Sequence, residues 1–292
     1  MTWKRVVTAA VLIPIVVGLV LWGSTAAVAL GFALVTLLAL FEYFTLGAAI
    51  GPRAYRFWTA TCALLLVYVQ WLAAGSQKYP LAGGVTLYRT LLRFVQPMPP
   101  TFEGVFFLFA LGVMLLIVFT RRPPAEAIPA AGLSASGLLL IALPLSFAIR
   151  LHAAGAFGPR LLLFAMVIIW VGDTCAYFVG RNLGKWKLAP KLSPNKTWEG
   201  TAASLAGSVA AGYLFKFWIP VSTFDLLAMA VLGNIAGQVG DLAESGYKRS
   251  AGVKDSGSLL PGHGGVLDRI DALILAIPVV WYYWILFSSA AN

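Results

Sequence analysis

Thiol and imidazole are nearly missing from this chain, whose 292 residues include 2 cysteines and 2 histidines. Cys62 and Cys175 both fall inside apolar runs, which suggests neither a disulfide framework nor a CxxC metal site and reads as buried structural thiols. His152 and His263 have no partner at metal-ligand spacing, which speaks against zinc. Charge is scarce too: 11% of residues are charged and 60% are hydrophobic. A soluble globular chain carries about 25% charged residues, so this composition excludes one. No GxxxxGK[ST] pattern occurs, which excludes a P-loop. Neither a solenoid period nor a low-complexity tract is present.

Apolar length is what the chain has in excess. Roughly 20 helical residues cross the ~30 Å hydrocarbon core, and runs of that kind lie at 6–23, 25–47, 57–75, 104–120, 128–148, 161–180, 200–219, 224–243 and 266–287. The fold class expected is therefore all-α, a polytopic integral membrane protein with about nine transmembrane helices. The first run follows Lys4 and Arg5 as a signal peptide would, but it is longer than the roughly 7–15 residues of a cleavable core, and a second span follows at once. It reads as a retained helix.

Lys and Arg flanking spans stay on the cytoplasmic side. With the N-terminus cytoplasmic, 14 basic residues fall in cytoplasmic segments and five (Lys78, Arg89, Arg93, Arg150 and Arg160) in the opposite ones, while Lys216 and Arg269 lie inside spans. That asymmetry selects an N-terminus-inside protein of the cell (inner or plasma) membrane. The net charge of +10 is split among loops, so anionic lipid head groups and an anionic substrate are the expected partners, and nucleic acid is not.

Acid divides the chain more sharply than hydropathy. Only Glu42, Glu103 and Glu126 precede residue 173, whereas Asp173, Glu199, Asp225, Asp241, Glu244, Asp255, Asp268 and Asp271 follow. Residues 1–160 thus read as N-terminal transmembrane helices without site motifs. Residues 161–292 read as catalytic helices with cytoplasmic active-site loops, the two together forming one membrane-embedded domain. The joint at 76–103 has room for an amphipathic helix near 87–95 on the outer face. Ser204, Ser208 and Gly212, and then Gly233 and Gly237, repeat small residues at spacings that let helix backbones approach closely.

An aspartate within a membrane helix costs several kcal/mol, about 2.5–3.5 by insertion scales, unless it is paired, hydrated or bound to a cation. Asp173, Asp241, Asp268 and Asp271 all fall near the expected cytoplasmic ends of their spans. Asp268 and Asp271 are three apart and share a helix face, as do Asp241 and Glu244. Facing helix ends of this kind make an oxygen-rich cluster suited to Mg²⁺ with positions left for substrate phosphates. The plainer alternative is a set of interfacial salt bridges with Lys248, Arg249 and Arg269. Beside the acids lie two donor-rich loops, RNLGKWKLAPKLSPNKTWEG and KRSAGVKDSGSLLPGHGG, whose Lys, Ser, Thr and backbone N–H groups suit phosphate oxygens. In the first, Thr197 also reads as a helix cap. In the second, His263 between two glycines reads as a general base, a phosphate donor or, as lone loop histidines more often are, a turn residue.

The run SGYKRSAGVKDSGSLLPGHGGVLDRID, residues 245–271, closely resembles the signature of the phosphatidate cytidylyltransferases, or CDP-diacylglycerol synthases. Upstream, GDTCAYFVGRNLGKWKLAPKLSPNKTWEG and GQVGDLAESGYKR resemble that family's companion motifs. The strong resemblance covers residues 170–271; KRVVTAAVLIP and FEYF in the first half share only the family's general character. Ala272 departs from a small hydroxyl residue expected there. The resemblance implies a Mg²⁺-dependent membrane enzyme that joins CTP and phosphatidate to give CDP-diacylglycerol and pyrophosphate. It implies Asp241 and Asp268 as main metal ligands with Asp271 assisting, and room for a second cation such as K⁺. Lys196, Lys248, Arg249, Lys254 and Arg269 become candidate phosphate clamps, and Asp255 and His263 further candidates in the same catalytic loop. Ser193, Asn195 and Thr197 would contact head group or nucleotide, and Asp173 would hold a cation or orient that loop. A homodimer is compatible with the resemblance. Two other readings stand beside this one: a CTP-dependent isoprenoid-lipid cytidylyltransferase or lipid kinase, and an ion-coupled transporter. Transporters show paired halves, whereas here the acids crowd into one.

Overall fold

The computed structural model describes residues 2–76, 101–259 and 264–288. His263 and the candidate helix at 87–95 lie outside the described residues. The chain is an all-α polytopic membrane protein. Its helices are α1 (Thr2–Trp22), α2 (Thr25–Ile50), α3 (Arg56–Ser76), α4 (Phe102–Phe119) and α5 (Pro124–His152), followed by α6 (Gly158–Leu183), α7 (Trp198–Leu214), α8 (Thr223–Ser250) and α9 (Leu267–Phe287). A π-helical turn over Leu138–Ala142 interrupts α5. Among the described residues seven helices, α2 to α6, α8 and α9, are long and apolar enough to cross a membrane. Two shorter elements correspond to the remaining expected spans: the described apolar stretch Ala10–Trp22 of α1 and the 17-residue α7.

Hydroxyl side chains start the helices where the apolar runs begin. Ser24, Thr101, Thr197 and Ser222 each accept a hydrogen bond from the backbone N–H three residues on, satisfying a donor that helix geometry leaves open. Lipid tails are as apolar as leucine, so helices gather here through close packing and internal hydrogen bonds. The small-residue faces of α7 and α8 do this packing. A Cβ on Gly212 would lie 2.7 Å from that of Ala230, and one on Gly237 would lie 2.5 Å from Ile169 Cδ1. Asn234 donates to both Ser204 and Ser208, at 2.9 and 2.8 Å, which ties α8 to α7.

Two apolar clusters result. One joins α6, α8 and α9 to the inner faces of α1, α2 and α5. The other gathers α2 to α5 around Leu66, Leu138 and Leu145 and takes in Leu267 and Ile274 of α9. The last helix therefore packs on both halves of the sequence.

Three local features depart from the expected spans. The loop at 184–197 folds into an antiparallel hairpin, β1 (Lys187–Ala189) with β2 (Ser193–Thr197), pairing Lys187 with Thr197 and Ala189 with Ser193. Helix α8 runs on to Ser250, so Lys248 and Arg249 sit on its last turn and not in a loop. Lys216, placed inside a span by hydropathy, stands on a 3₁₀ turn, Phe215–Phe217, beyond the end of α7.

Candidate active site

The acids near the helix ends become one cluster because α8 and α9 touch backbone to backbone. Gly240 makes this approach: a Cβ there would lie 2.5 Å from the Asp271 carbonyl oxygen. Its neighbour Asp241 thereby faces the first turn of α9. Asp173 joins from α6, where Gly172 lies against Ser204, Ser208 and Asn234. The carboxylates of Asp173, Asp241, Glu244 and Asp271 act on one another electrostatically across these three helices.

Cations enter from two directions. The hairpin carries Lys196 to Asp241, Nζ to Oδ2 2.5 Å. From the last turn of α8, Lys248 reaches Asp268 Oδ1 at 2.7 Å and also pairs with Glu244 four residues before it. Glu244 is 2% exposed, and its Oε1 is buried with no hydrogen-bond partner among the described residues. Arg269 lies within the field of Asp173. Five carboxylates (Asp173, Asp241, Glu244, Asp268, Asp271) thus meet three cations (Lys196, Lys248, Arg269).

Asp268 is the most engaged of the acids. Besides Lys248, the backbone N–H groups of Ser256 and Gly265 donate to its Oδ2, at 3.0 and 2.8 Å, so it closes the loop that precedes α9. Gly264, at φ +82°, makes that turn. Its backbone favours glycine, and a Cβ there would lie 2.8 Å from Asp268 Oδ2. Arg249 Nε donates to Leu192 O at 3.1 Å and its Nη1 to Val253 O at 2.8 Å, which fastens α8 to the hairpin turn. Lys254 and Asp255 are exposed on the closed loop.

Hairpin residues divide by burial. Asn195 is exposed and Ser193 half-buried, whereas Thr197 is 3% exposed and its Oγ1 accepts from Gly200 N–H at 3.2 Å. The expected cap is present and uses one acceptor position of the Thr197 hydroxyl. Glu199 accepts from the Lys185 and Trp186 N–H groups, at 3.0 and 3.3 Å, bracing the start of the hairpin. Its own backbone N–H and these two donors hold its carboxyl below the usual glutamate range.

One residue of this site was not singled out from the sequence. Glu42, on α2, is 2% exposed and accepts from Ser256 Oγ (2.9 Å), Val266 N–H (2.9 Å) and Leu267 N–H (2.8 Å). It therefore caps α9 and grips the beginning of the loop with the same carboxylate. Gly257 and Gly265 leave the space it fills. The available signal was a lone glutamate in the apolar run LFEYF, subject to the same membrane cost that drew attention to Asp173.

A divalent cation can be tested against these donors. Among the described residues no three Asp, Glu, His or Cys side chains are already gathered at metal-ligand spacing. The donor chemistry nevertheless fits a hard cation: every candidate ligand is a carboxylate oxygen, negative charge is in excess, and a buried Glu244 oxygen is unpaired. Each Asp268 oxygen already accepts N–H donors, but a carboxylate offers about four lone-pair positions.

These elements define a class: a polytopic helical membrane protein with one charged site where the ends of α6, α8 and α9 meet a hairpin. The chain belongs to the Cytidylyltransferase family, whose model matches residues 3–287. It is 42% identical over 179 residues to a phosphatidate cytidylyltransferase of Brucella suis biovar 1 (strain 1330), covering 61% of this chain and 64% of that protein. It is 41% identical over 142 residues to the one of Bacillus subtilis (strain 168), covering 48% and 53%. The chain thus spans less than two thirds of the length of these relatives.

Proposed function

We propose that the chain is a phosphatidate cytidylyltransferase, forming CDP-diacylglycerol and pyrophosphate from CTP and phosphatidate. The observation that carries this reading is the gathering of Asp173, Lys196, Asp241, Lys248, Asp268 and Asp271 into one cluster beside apolar spans. Lipid tails stay in hydrocarbon while a nucleotide arrives from water, so their phosphates must meet at such a boundary.

A phosphate oxygen of phosphatidate attacks the α-phosphorus of CTP. As the new P–O bond forms, the bond from that phosphorus to the oxygen bridging to the β-phosphate breaks, and pyrophosphate leaves with the electron pair. A phosphate monoester is anionic at neutral pH, so the reaction needs charge neutralisation and in-line placement more than a strong base.

Lys196 is placed to exchange Asp241 for a phosphate oxygen, because the hairpin that carries it borders the cluster. Lys248, Arg249, Lys254 and Arg269 supply further donors, while Ser193 and Asn195 offer polar groups to the head group or nucleotide. Asp255 and His263 belong to the same loop. Mg²⁺ is the proposed cofactor, and Asp241, Asp271 and Asp268 would hold it, with Asp173 beside a second cation such as K⁺. When bound, it would neutralise charge on the transferring phosphates.

The basic asymmetry of the loops supports a site on the cytoplasmic face of the plasma membrane, and Lys216, beyond α7, adds only one charge to the opposite side. In a background lacking Cys62 and Cys175, Ser193→Cys and Lys254→Cys should react with an impermeant thiol reagent only from the cytoplasm. Reaction from outside in intact cells would reverse the topology. The activity itself is tested with purified protein, labelled CTP, phosphatidate and Mg²⁺. The expected product is a labelled liponucleotide with release of pyrophosphate; release of CDP with phosphorylated lipid would make the protein a kinase instead.

A further inference from the structure

A cavity of about 740 Å³ opens between α3 and α4, in the half of the chain that carries none of the motifs. Pockets that hold small ligands span roughly 300–1,000 Å³. One wall is apolar, formed by Phe57, Trp58, Leu115 and Leu116. Trp58 lies flat against α4 because Gly112 has no side chain to obstruct the indole, whose Nε1 donates to Phe109 O at 3.1 Å.

The rest of the lining is basic: Arg53 and Arg56 from the start of α3, and Arg122 from the loop after α4. Among the described residues none of the three pairs with a carboxylate. Arg122 stacks over the Tyr55 ring at 4.8 Å and donates to the Arg53 carbonyl. Arg56 Nη2 donates to Phe44 O at 2.8 Å, while its Nε is buried with no hydrogen-bond partner among the described residues. A buried donor left unpaired costs about 1–3 kcal/mol, and three like charges around one cavity repel.

Basic residues flank the spans of any membrane protein, but an ordinary flank ends in water. Here a guanidinium donor is buried, and the charges border a cavity with an aromatic and aliphatic wall. Guanidinium binds phosphate oxygens bidentately, and a ligand that is anionic at one end and hydrocarbon at the other matches both parts of the lining. We propose that this cavity binds an anionic phospholipid of the surrounding leaflet. Arg53, Arg56 and Arg122 hold its phosphate, and an acyl chain lies along Trp58, Leu115 and Leu116. None of the lining residues belongs to the reaction cluster, so this is a second lipid site with no part in the chemistry proposed above.

Native mass spectrometry of the purified full chain tests it, with phosphatidylglycerol and phosphatidylcholine as probes. The wild type should retain phosphatidylglycerol in preference to phosphatidylcholine. Arg56→Gln with Arg122→Gln should weaken phosphatidylglycerol about tenfold, or ~1.4 kcal/mol, and weaken phosphatidylcholine less, because its choline cation offsets the charge of the phosphate. Should that pair fail to fold, the exposed Arg53→Gln carries the same test with a smaller loss. Leu116→Trp, which fills the apolar wall, should weaken both lipids. Asp241→Asn should leave the phosphatidylglycerol curve untouched, and millimolar inorganic phosphate should not displace the lipid. Unchanged phosphatidylglycerol binding in the arginine variants would overturn the assignment. A matching loss in Asp241→Asn would also overturn it, by placing the lipid in the reaction site, and displacement by phosphate would make the cavity a free-anion site.

Discussion

At one end of the α8–α9 pair, Asp225 accepts hydrogen bonds from the Tyr283 and Ser288 hydroxyls, at 3.0 and 3.4 Å; at the other, Asp241, Glu244 and Asp268 share Lys196 and Lys248, with Asp271 beside them. Both sets are acids on the same two helices or within their reach. Asp225 is 6% exposed and both its oxygens meet neutral donors, an arrangement that holds two helix ends together and leaves little for a ligand. Glu42 is of this kind also, although it stands at the charged end. Asp241, Glu244 and Asp271 are less fully satisfied: a lysine head group is the partner of each of the first two, and one buried Glu244 oxygen is unpaired among the described residues, while Asp268 ties them to the loop through Lys248. Satisfied carboxylates act as braces, and the unsatisfied set is where phosphates and cations would be drawn.

The contrast can be broken most forcefully at Asp268. Asp268→Asn keeps the shape but loses the charge that faces Lys248, and a fall in turnover of about 10²–10³-fold is expected, the scale for removing a preorganised electrostatic contact. EDTA should silence the wild type, with Mg²⁺ or Mn²⁺ restoring it and Ca²⁺ restoring it poorly, because Ca²⁺ prefers longer bonds and more ligands. Full turnover in EDTA would remove the metal from the mechanism.

Glu42→Gln sharpens the comparison, since it alters a brace that touches the site. The amide offers one acceptor oxygen where two are used, so a buried N–H or hydroxyl loses its partner at a cost of about 1–3 kcal/mol. We expect a lower melting midpoint together with a kcat reduced about tenfold and a KM for CTP little changed. Glu42→Asp should restore part of the rate. A variant with wild-type kcat and stability would show that the loop before α9 holds without this grip.

A smaller effect is expected at Thr197→Ala, which removes the cap of α7. Loss of such a cap costs about 1 kcal/mol, read as a shifted denaturation midpoint. If Thr197 acts only as a cap, KM for either substrate stays within about twofold, a range of under ~0.4 kcal/mol; a large KM change would restore it to the substrate contacts expected from the sequence.

Most of this architecture is legible in the sequence, for a physical reason: a helix in hydrocarbon must satisfy its own backbone, so apolar length alone locates it. The acids of the second half are equally legible, because each carries a cost that asks for an explanation. Glu42 escaped because its partners Ser256, Val266 and Leu267 lie more than 200 positions away, and nothing local announces that pairing. The hairpin escaped because Lys, Pro and Asn crowd its strands, SPNKT among them, and carry little strand signal. The cavity between α3 and α4 depends on Gly112 standing opposite Trp58, a match between helices that periodicity within either one does not reveal.

The division between braces and site is tested most directly by measuring liponucleotide formation and thermal midpoint side by side for Asp241→Asn and Asp225→Asn. Asp241→Asn should lose turnover while its midpoint stays near that of the wild type. Asp225→Asn should retain turnover at low temperature while losing about 1–2 kcal/mol of stability, as one charged acceptor of a hydroxyl is weakened. An active Asp241→Asn, or an Asp225→Asn that is stable yet inactive, would contradict the assignment of the two ends.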